Sequence, residues 1–127
     1  MTDHQLPDVL QAYLDSLNTE DWDRLASLWL PDATLRAVGT RSRTGPEDIL
    51  SYFRAALAPW KEHLDAATRV LPCGDAVTVE LHFRGRTAGG LALEFDAVDV
   101  FDLQDGRIRA LSTWYDIADV RSRLAGA

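Results

Sequence analysis

Leu6, Val9, Leu10, Tyr13, Leu14 and Leu17 recur at helical spacing and form one apolar stripe. The stretch "NTED" then breaks and restarts the chain, with Thr19 a favoured N-cap and Glu20 and Asp21 suited to the positive end of a second helix. Trp22, Leu25, Leu28 and Trp29 continue at helical spacing, and Pro31 ends that segment. "DATLRAV" reads as a short strand and "GTRSRTG" as a loop. Pro46, Glu47 and Asp48 open a third helix whose stripe is Ile49, Tyr52, Phe53 and Leu57, with Pro59 closing it.

From there the period changes from 3.6 to 2. "HLDAATRVLP" is a weakly patterned strand. "AVTVELHFRGR" alternates cleanly, with Val77, Val79, Leu81 and Phe83 on one face and Thr78, Glu80, His82 and Arg84 on the other. "TAGG" is a turn, "LALEFDAVDVFDL" a strand, "QDG" a hairpin turn and "RIRALSTWYD" a further strand, before a short tail helix in "IADVRSRL". Helices followed by an antiparallel meander predict an α+β domain, a curved sheet with helices across its open end, and such a cone holds a pocket.

The strand "FDAVDVFDL" carries three aspartates, a residue depleted in strands. Parity places Asp96 and Asp102 with Glu94 on a mixed face that reads as solvated surface. Asp99 instead interrupts the apolar row of Leu93, Phe95, Ala97, Phe101 and Leu103. Three explanations fit: a buried acid tied to backbone or arginine, a bulge that turns it outward, or a functional acid that retains its proton in a dry site. Tyr13 sits on the apolar stripe of the first helix, either as a core aromatic with a backbone partner or as a second O–H donor. Converging in one apolar pocket, the two would stabilise an enolate or alkoxide oxygen.

Composition narrows the partners. A chain of 127 residues is expected to form one domain spanning 1–127, long enough for a real core. A net charge of −7 disfavours nucleic acid and anionic membrane surfaces. The single cysteine, Cys73, excludes an internal disulfide, and neither "HLD" nor "ELH" makes a convincing metal site, so no metal is expected. "MTDHQLPDVL" lacks the features of a signal peptide and no apolar run is long enough to span a bilayer, which predicts a cytoplasmic protein.

Four segments carry a family resemblance: "VLQAYLDSLNTEDWDRLASLWLPDATL", "RTGPEDILSYF", "VDVFDLQDGRI" and "STWYDIADVRSRL". Together they resemble the nuclear transport factor 2-like superfamily, in its ketosteroid isomerase and SnoaL-type polyketide cyclase branches. The resemblance implies a conical barrel of a curved, mainly antiparallel sheet with about three N-terminal helices enclosing an apolar pocket. It also implies a homodimer, no cofactor and a hydrophobic small-molecule substrate or ligand. Tyr13 in "QAYLDSLN" and Asp99 in "AVDVF" match the isomerase's oxyanion-hole pair, in which an apolar site keeps the aspartic acid neutral. The isomerase's first-strand base has no counterpart, because Ala37 falls at or beside that position. Asp116 in "STWYD" matches the acid–base aspartate of the cyclases and of limonene epoxide hydrolases, although it is equally suited to cap the tail helix.

The expected catalytic set is therefore Tyr13, Asp99 and Asp116, with Arg36, Phe53, Trp60, Val79, Leu81, Phe101 and Trp114 as substrate contacts. Arg36 would bind an anionic substrate group or pair with an acid. His82 with Glu80 reads as a surface pair or dimer contact. His63 reads as surface, or as a dehydratase-type histidine. The leading expectation is a cofactor-independent enzyme moving a proton beside a carbonyl: an isomerase, an aldol-type cyclase or a dehydratase (lyase). The alternatives are a non-catalytic ligand-binding or dimerisation domain and, more weakly, an epoxide hydrolase.

Overall fold

The computed structural model describes residues 5–126. The first four residues of the segment read as lacking a signal peptide lie outside them. Helix α1 spans Asp8–Thr19, with Asp8 in its first turn and Glu20 closing it in the left-handed region at φ 54°. Its buried stripe is Leu10, Tyr13, Leu14 and Leu17, as the spacing predicts. Helix α2 covers only Trp22–Ala26. Its N-cap is Asp21, whose carboxylate accepts from the Arg24 N–H at 3.2 Å, and Thr19 belongs to the end of α1 instead.

Leu28 and Trp29 leave the helix, and strand β1 runs Trp29–Ala37. Pro31 is tolerated in this strand because it is exposed and lies where the register against the neighbouring strand is interrupted, between Trp29 and Thr34. Within the predicted loop a two-residue strand β2, Arg43–Thr44, pairs with β1. Helix α3 spans Pro46–Leu57. Strands β3 (Trp60–Cys73), β4 (Ala76–Thr87), β5 (Ala92–Gln104) and β6 (Arg107–Tyr115) form the meander, and α4 (Ile117–Ala125) closes the described chain. The β5–β6 hairpin turns at Asp105 and Gly106, both with positive φ (54° and 73°), as a type I′ turn requires.

The sheet has six strands in the order β2-β1-β6-β5-β4-β3, and every neighbouring pair is antiparallel except β1–β6. The domain is thus α+β, a mostly antiparallel curved sheet carrying helices, as expected. One face of the sheet is apolar: Leu35 and Ala37 of β1, Val77, Val79, Leu81 and Phe83 of β4, and Phe101 of β5 are all buried there. Helices α1 and α3 complete the core with Leu10, Leu14, Ile49 and Phe53. The opposite face is polar, and on it Glu80 pairs with Arg69 at 2.6 Å.

Two irregularities decide where side chains point. In β3 the register against β4 shifts between Ala67 and Arg69, so Asp65, opposite Phe83, and Val70, opposite Val79, share the inner face despite their odd spacing. In β6 a shift between the partners of Asp102 and Leu103 brings Ile108 and Leu111 both inside. Gly85 supplies the close approach that Trp60 needs. A Cβ there would lie 2.5 Å from Trp60 Cε3 and 2.8 Å from Phe83 Cε1, so only glycine lets the indole cross the strand.

Candidate active site

A cavity of about 380 Å³ lies between the inner face of the sheet and helices α1, α3 and α4. Its wall is largely apolar, with Leu17, Phe53, Trp60, Leu81, Phe83 and Phe95 among the lining side chains. Such a cavity suits one small organic molecule.

Asp99 lines it from the middle of β5, flanked across the sheet by Val79 and Thr113. It is 3% exposed. Burial pushes its carboxyl up to about 7, with the Thr113 hydroxyl pulling the other way and the charge of Asp65 adding to the rise. Of the three explanations open for an acid in this row, the outward bulge does not apply, since Asp99 continues the inward alternation. Among the described residues no arginine is paired with it.

Tyr13 reaches the cavity from α1 and is 2% exposed. Three rings hold it edge-on: Phe101 at 5.2 Å, Phe53 at 5.9 Å and Trp29 at 6.1 Å between centroids. Burial first, then the charges of Asp99 and Asp65, raise its phenol well above the usual value. Tyr13 is therefore an O–H donor throughout the physiological range.

Asp65 is the residue that sequence reasoning missed. It enters the cavity wall from β3, half-buried, and burial lifts its carboxyl to about 6 while His63 pulls it down. Its backbone is pinned to α1 on both sides of the peptide. The Asp65 N–H donates to Asn18 Oδ1 at 2.8 Å, and Asn18 Nδ2 donates to the Asp65 carbonyl at 3.0 Å. The sequence carried little signal for it, because β3 has no clear alternation and the bulge after Ala67 hides its parity.

The other expected residues divide between the two faces. Phe53, Trp60 and Leu81 line the cavity. Val79 and Phe101 are buried one layer behind it, Val79 beside Asp99 and Phe101 against Tyr13, and are absent from the lining. Arg36 and Trp114 lie on the outer face, where the guanidinium covers the indole at 5.1 Å. Strand parity puts them there, since Leu35 and Ala37 in β1 and Thr113 and Tyr115 in β6 take the inner positions. Asp116 is exposed and caps α4, its carboxylate accepting from the Asp119 N–H at 3.0 Å. It does not line the cavity.

His82 bridges Asp96 (2.8 Å) and Glu94 (2.7 Å) on the outer face, and these partners raise its pKa. His63 has a side chain only 3% exposed, with Nε2 2.9 Å from Glu20 Oε2 and Nδ1 buried without a partner. It lies outside the cavity lining. Among the described residues, no group of three or more His, Cys, Asp and Glu side chains is arranged to hold a metal ion.

The site thus gathers two carboxyl groups that hold protons unusually well, Asp65 and Asp99, with the buried phenol of Tyr13, against largely apolar walls. Burial raises both carboxyls toward neutrality, to about 6 for Asp65 and about 7 for Asp99, so the pair can hold a proton on one acid while the other accepts one. Tyr13 and protonated Asp99 have the chemistry of an oxyanion hole.

Comparisons with known proteins agree with the fold. A hypothetical protein of ketosteroid isomerase-like fold from Catenulispora acidiphila, in complex with trimethylamine, superposes with a TM-score of 0.85 at 18% identity, covering 95% of each chain. A candidate polyketide cyclase from Sinorhizobium meliloti matches at 27% identity and a TM-score of 0.73, over 86% of this chain and 95% of that one. An LEH-like epoxide hydrolase of M. tuberculosis matches at 23% identity and a TM-score of 0.76, over 94% and 88%. No curated protein matches this sequence. The SnoaL-like domain model matches residues 10–111, and the chain belongs to that SnoaL-like domain family.

Proposed function

We propose that this protein is a cofactor-independent acid–base enzyme acting on an apolar, carbonyl-bearing small molecule. One observation carries the reading: Asp65, Asp99 and Tyr13 share one apolar cavity, with both carboxyls raised toward neutrality by burial. Asp65, ionised at neutral pH, takes a proton from the carbon beside the carbonyl. Tyr13 and Asp99 donate hydrogen bonds to the oxygen on which negative charge develops. The enolate then reprotonates, attacks a second carbonyl or expels a leaving group, giving an isomerase, an aldol-type cyclase or a dehydratase. Removing one oxyanion donor typically costs about 10²–10³-fold, and the general base contributes roughly 10²–10⁴-fold.

The test needs only the shared first step. Apolar ketones such as 2-tetralone are incubated with the protein in D₂O, and deuterium uptake at the α-carbon is followed by NMR. Catalysed exchange that falls at least tenfold in both Asp65→Asn and Asp99→Asn, with the fold retained, supports the reading. Exchange at the buffer rate in the wild type, across a panel of ketones and 1,3-diketones, contradicts it.

A second reading, a non-catalytic ligand-binding domain, is favoured by Ala37. It is buried and inward-facing where the isomerase resemblance places the base. Epoxide hydrolysis is less favoured: the resemblance to limonene epoxide hydrolases implies an arginine and a second aspartate on this middle strand, and the inner face of β4 presents Val77, Val79, Leu81 and Phe83. A homodimer is the proposed assembly, since Leu64, Leu71 and Trp114 are 40%, 42% and 41% exposed on the outer face, and light scattering measures it. A cytoplasmic location is proposed with it; among the described residues no helix is long and apolar enough to cross a membrane.

A further inference from the structure

The cavity wall holds a second polar group, nearer the solvent than Asp99. Arg43 of β2, Tyr52 of α3, Tyr115 of β6 and Arg121 of α4 all line it. They are linked side by side. The Arg43 guanidinium covers the Tyr52 ring at 5.7 Å, burial and then Tyr115 push the Tyr52 phenol up, and the charge of Arg121 acts on Tyr115.

Neither arginine is fully used by the protein. Arg43 gives Nη1 to Ser51 Oγ at 3.0 Å, but its Nε is buried with no partner. Its closest carboxylate, Asp48, stands 3.9 Å away and is already held by Arg41 at 2.9 and 3.2 Å and by the Thr44 N–H at 3.1 Å. Arg121 makes one long hydrogen bond, 3.4 Å, to the Gly39 carbonyl, while Asp119 on the same helix pairs with Arg123. Arg41 and Arg43 thus share the single charge of Asp48, and Arg121 makes no ion pair among the described residues. A buried N–H without an acceptor calls for one, and a planar guanidinium fork matches a carboxylate.

We propose that the cavity takes a ligand with a carboxylate at one end of an apolar body, the carboxylate being held by Arg43 and Arg121. The orphaned Arg43 Nε–H and the free donors of Arg121 receive its oxygens, and the Tyr52 and Tyr115 hydroxyls complete the site. The inference rests on the acid–base reading only for orientation: the carboxylate at the arginines turns the far end, with the reacting carbonyl, toward Asp99 and Tyr13. It assigns to Arg43 and Arg121 the anion contact that the sequence suggested for Arg36, which lies on the other face of the sheet.

The test compares two probes of one shape, 2-naphthoate and 2-naphthamide, by isothermal titration calorimetry at pH 6 and low salt. Naphthoate should bind at least tenfold more tightly, with the preference shrinking as salt rises. Arg43→Gln and Arg121→Gln should each weaken naphthoate at least fivefold and leave naphthamide unchanged, which also reports an intact cavity. Should Arg43→Gln fail to fold, Arg121→Gln, at an exposed position on α4, decides alone. Asp99→Asn should keep the preference for the anion. Equal or tighter binding of the amide, undetectable binding of naphthoate, or a preference that survives the arginine substitutions would overturn the proposal. Loss of α-proton exchange activity with the preference intact counts against the acid–base reading alone.

Discussion

Replacing Asp99 with asparagine should stabilise the protein at neutral and alkaline pH and leave it nearly unchanged near pH 4. The carboxyl is 3% exposed and burial moves it from 3.8 to about 7. Between those values the unfolded chain has released a proton that the folded chain still holds. Raising the pH therefore favours unfolding. The stability associated with the neutral acid is complete below about pH 4, declines through the interval and is gone above about pH 7. The displacement amounts to roughly 4 kcal/mol in full, of which roughly 3 kcal/mol falls between pH 5 and pH 8. The asparagine amide has the same shape and no proton to lose. Asp65 is present in both proteins, so its own titration largely cancels in the difference. Urea denaturation of wild type and Asp99→Asn at half-unit steps from pH 5 to pH 8 measures it. The stability gap should widen with pH by about 3 kcal/mol in favour of the variant. A gap that stays flat would mean Asp99 ionises normally, and the proton-bearing donor would be refuted.

Other substitutions check the scaffold. Gly85→Ala pushes a methyl group to within 2.5 Å of the buried Trp60 ring and should cost about 1–3 kcal/mol by denaturant melting, with Trp60 fluorescence shifted as the ring moves. Asp116→Ala removes the N-cap of α4 and should cost about 1 kcal/mol, whereas Asp116→Asn keeps a capping side chain and should melt close to wild type; equal midpoints for all three would refute the capping role. His82, bridging Glu94 and Asp96, should titrate above the usual histidine value by NMR and return toward it in Asp96→Asn.

Much of the architecture was legible because the pattern was strong. The α1 stripe, the clean alternation of β4 and the Asp105-Gly106 turn each have one ready interpretation. Tyr13 and Asp99 stood out for a physical reason: each places a polar group in an apolar row, and the fold brings both rows to one cavity. The failures are equally specific. Leu25, Leu28 and Trp29 continue a helical spacing, yet Asp21 starts α2 late and the chain leaves it at Ala26. Nothing local marks that Trp29 pairs with Ile108, in a strand far along the chain. In β3 the bulge after Ala67 breaks the two-residue period, which concealed that Asp65 points inward. Arg36 and Trp114 looked like pocket residues by chemistry, and only strand parity against their buried neighbours sends them outside. Arg43 and Arg121 belong to a two-residue strand and a terminal helix, and no sequence spacing announces that these meet.

Carboxyl groups that keep their protons inside the cavity are the centre of the proposed chemistry. The most direct measurement is NMR titration of the side-chain carboxyl carbons in protein labelled with ¹³C-aspartate. One signal should titrate near pH 7 and vanish in Asp99→Asn, and a second near pH 6 should vanish in Asp65→Asn. A protein in which every aspartate titrates below about pH 5, within the ordinary carboxylate range, would contradict it.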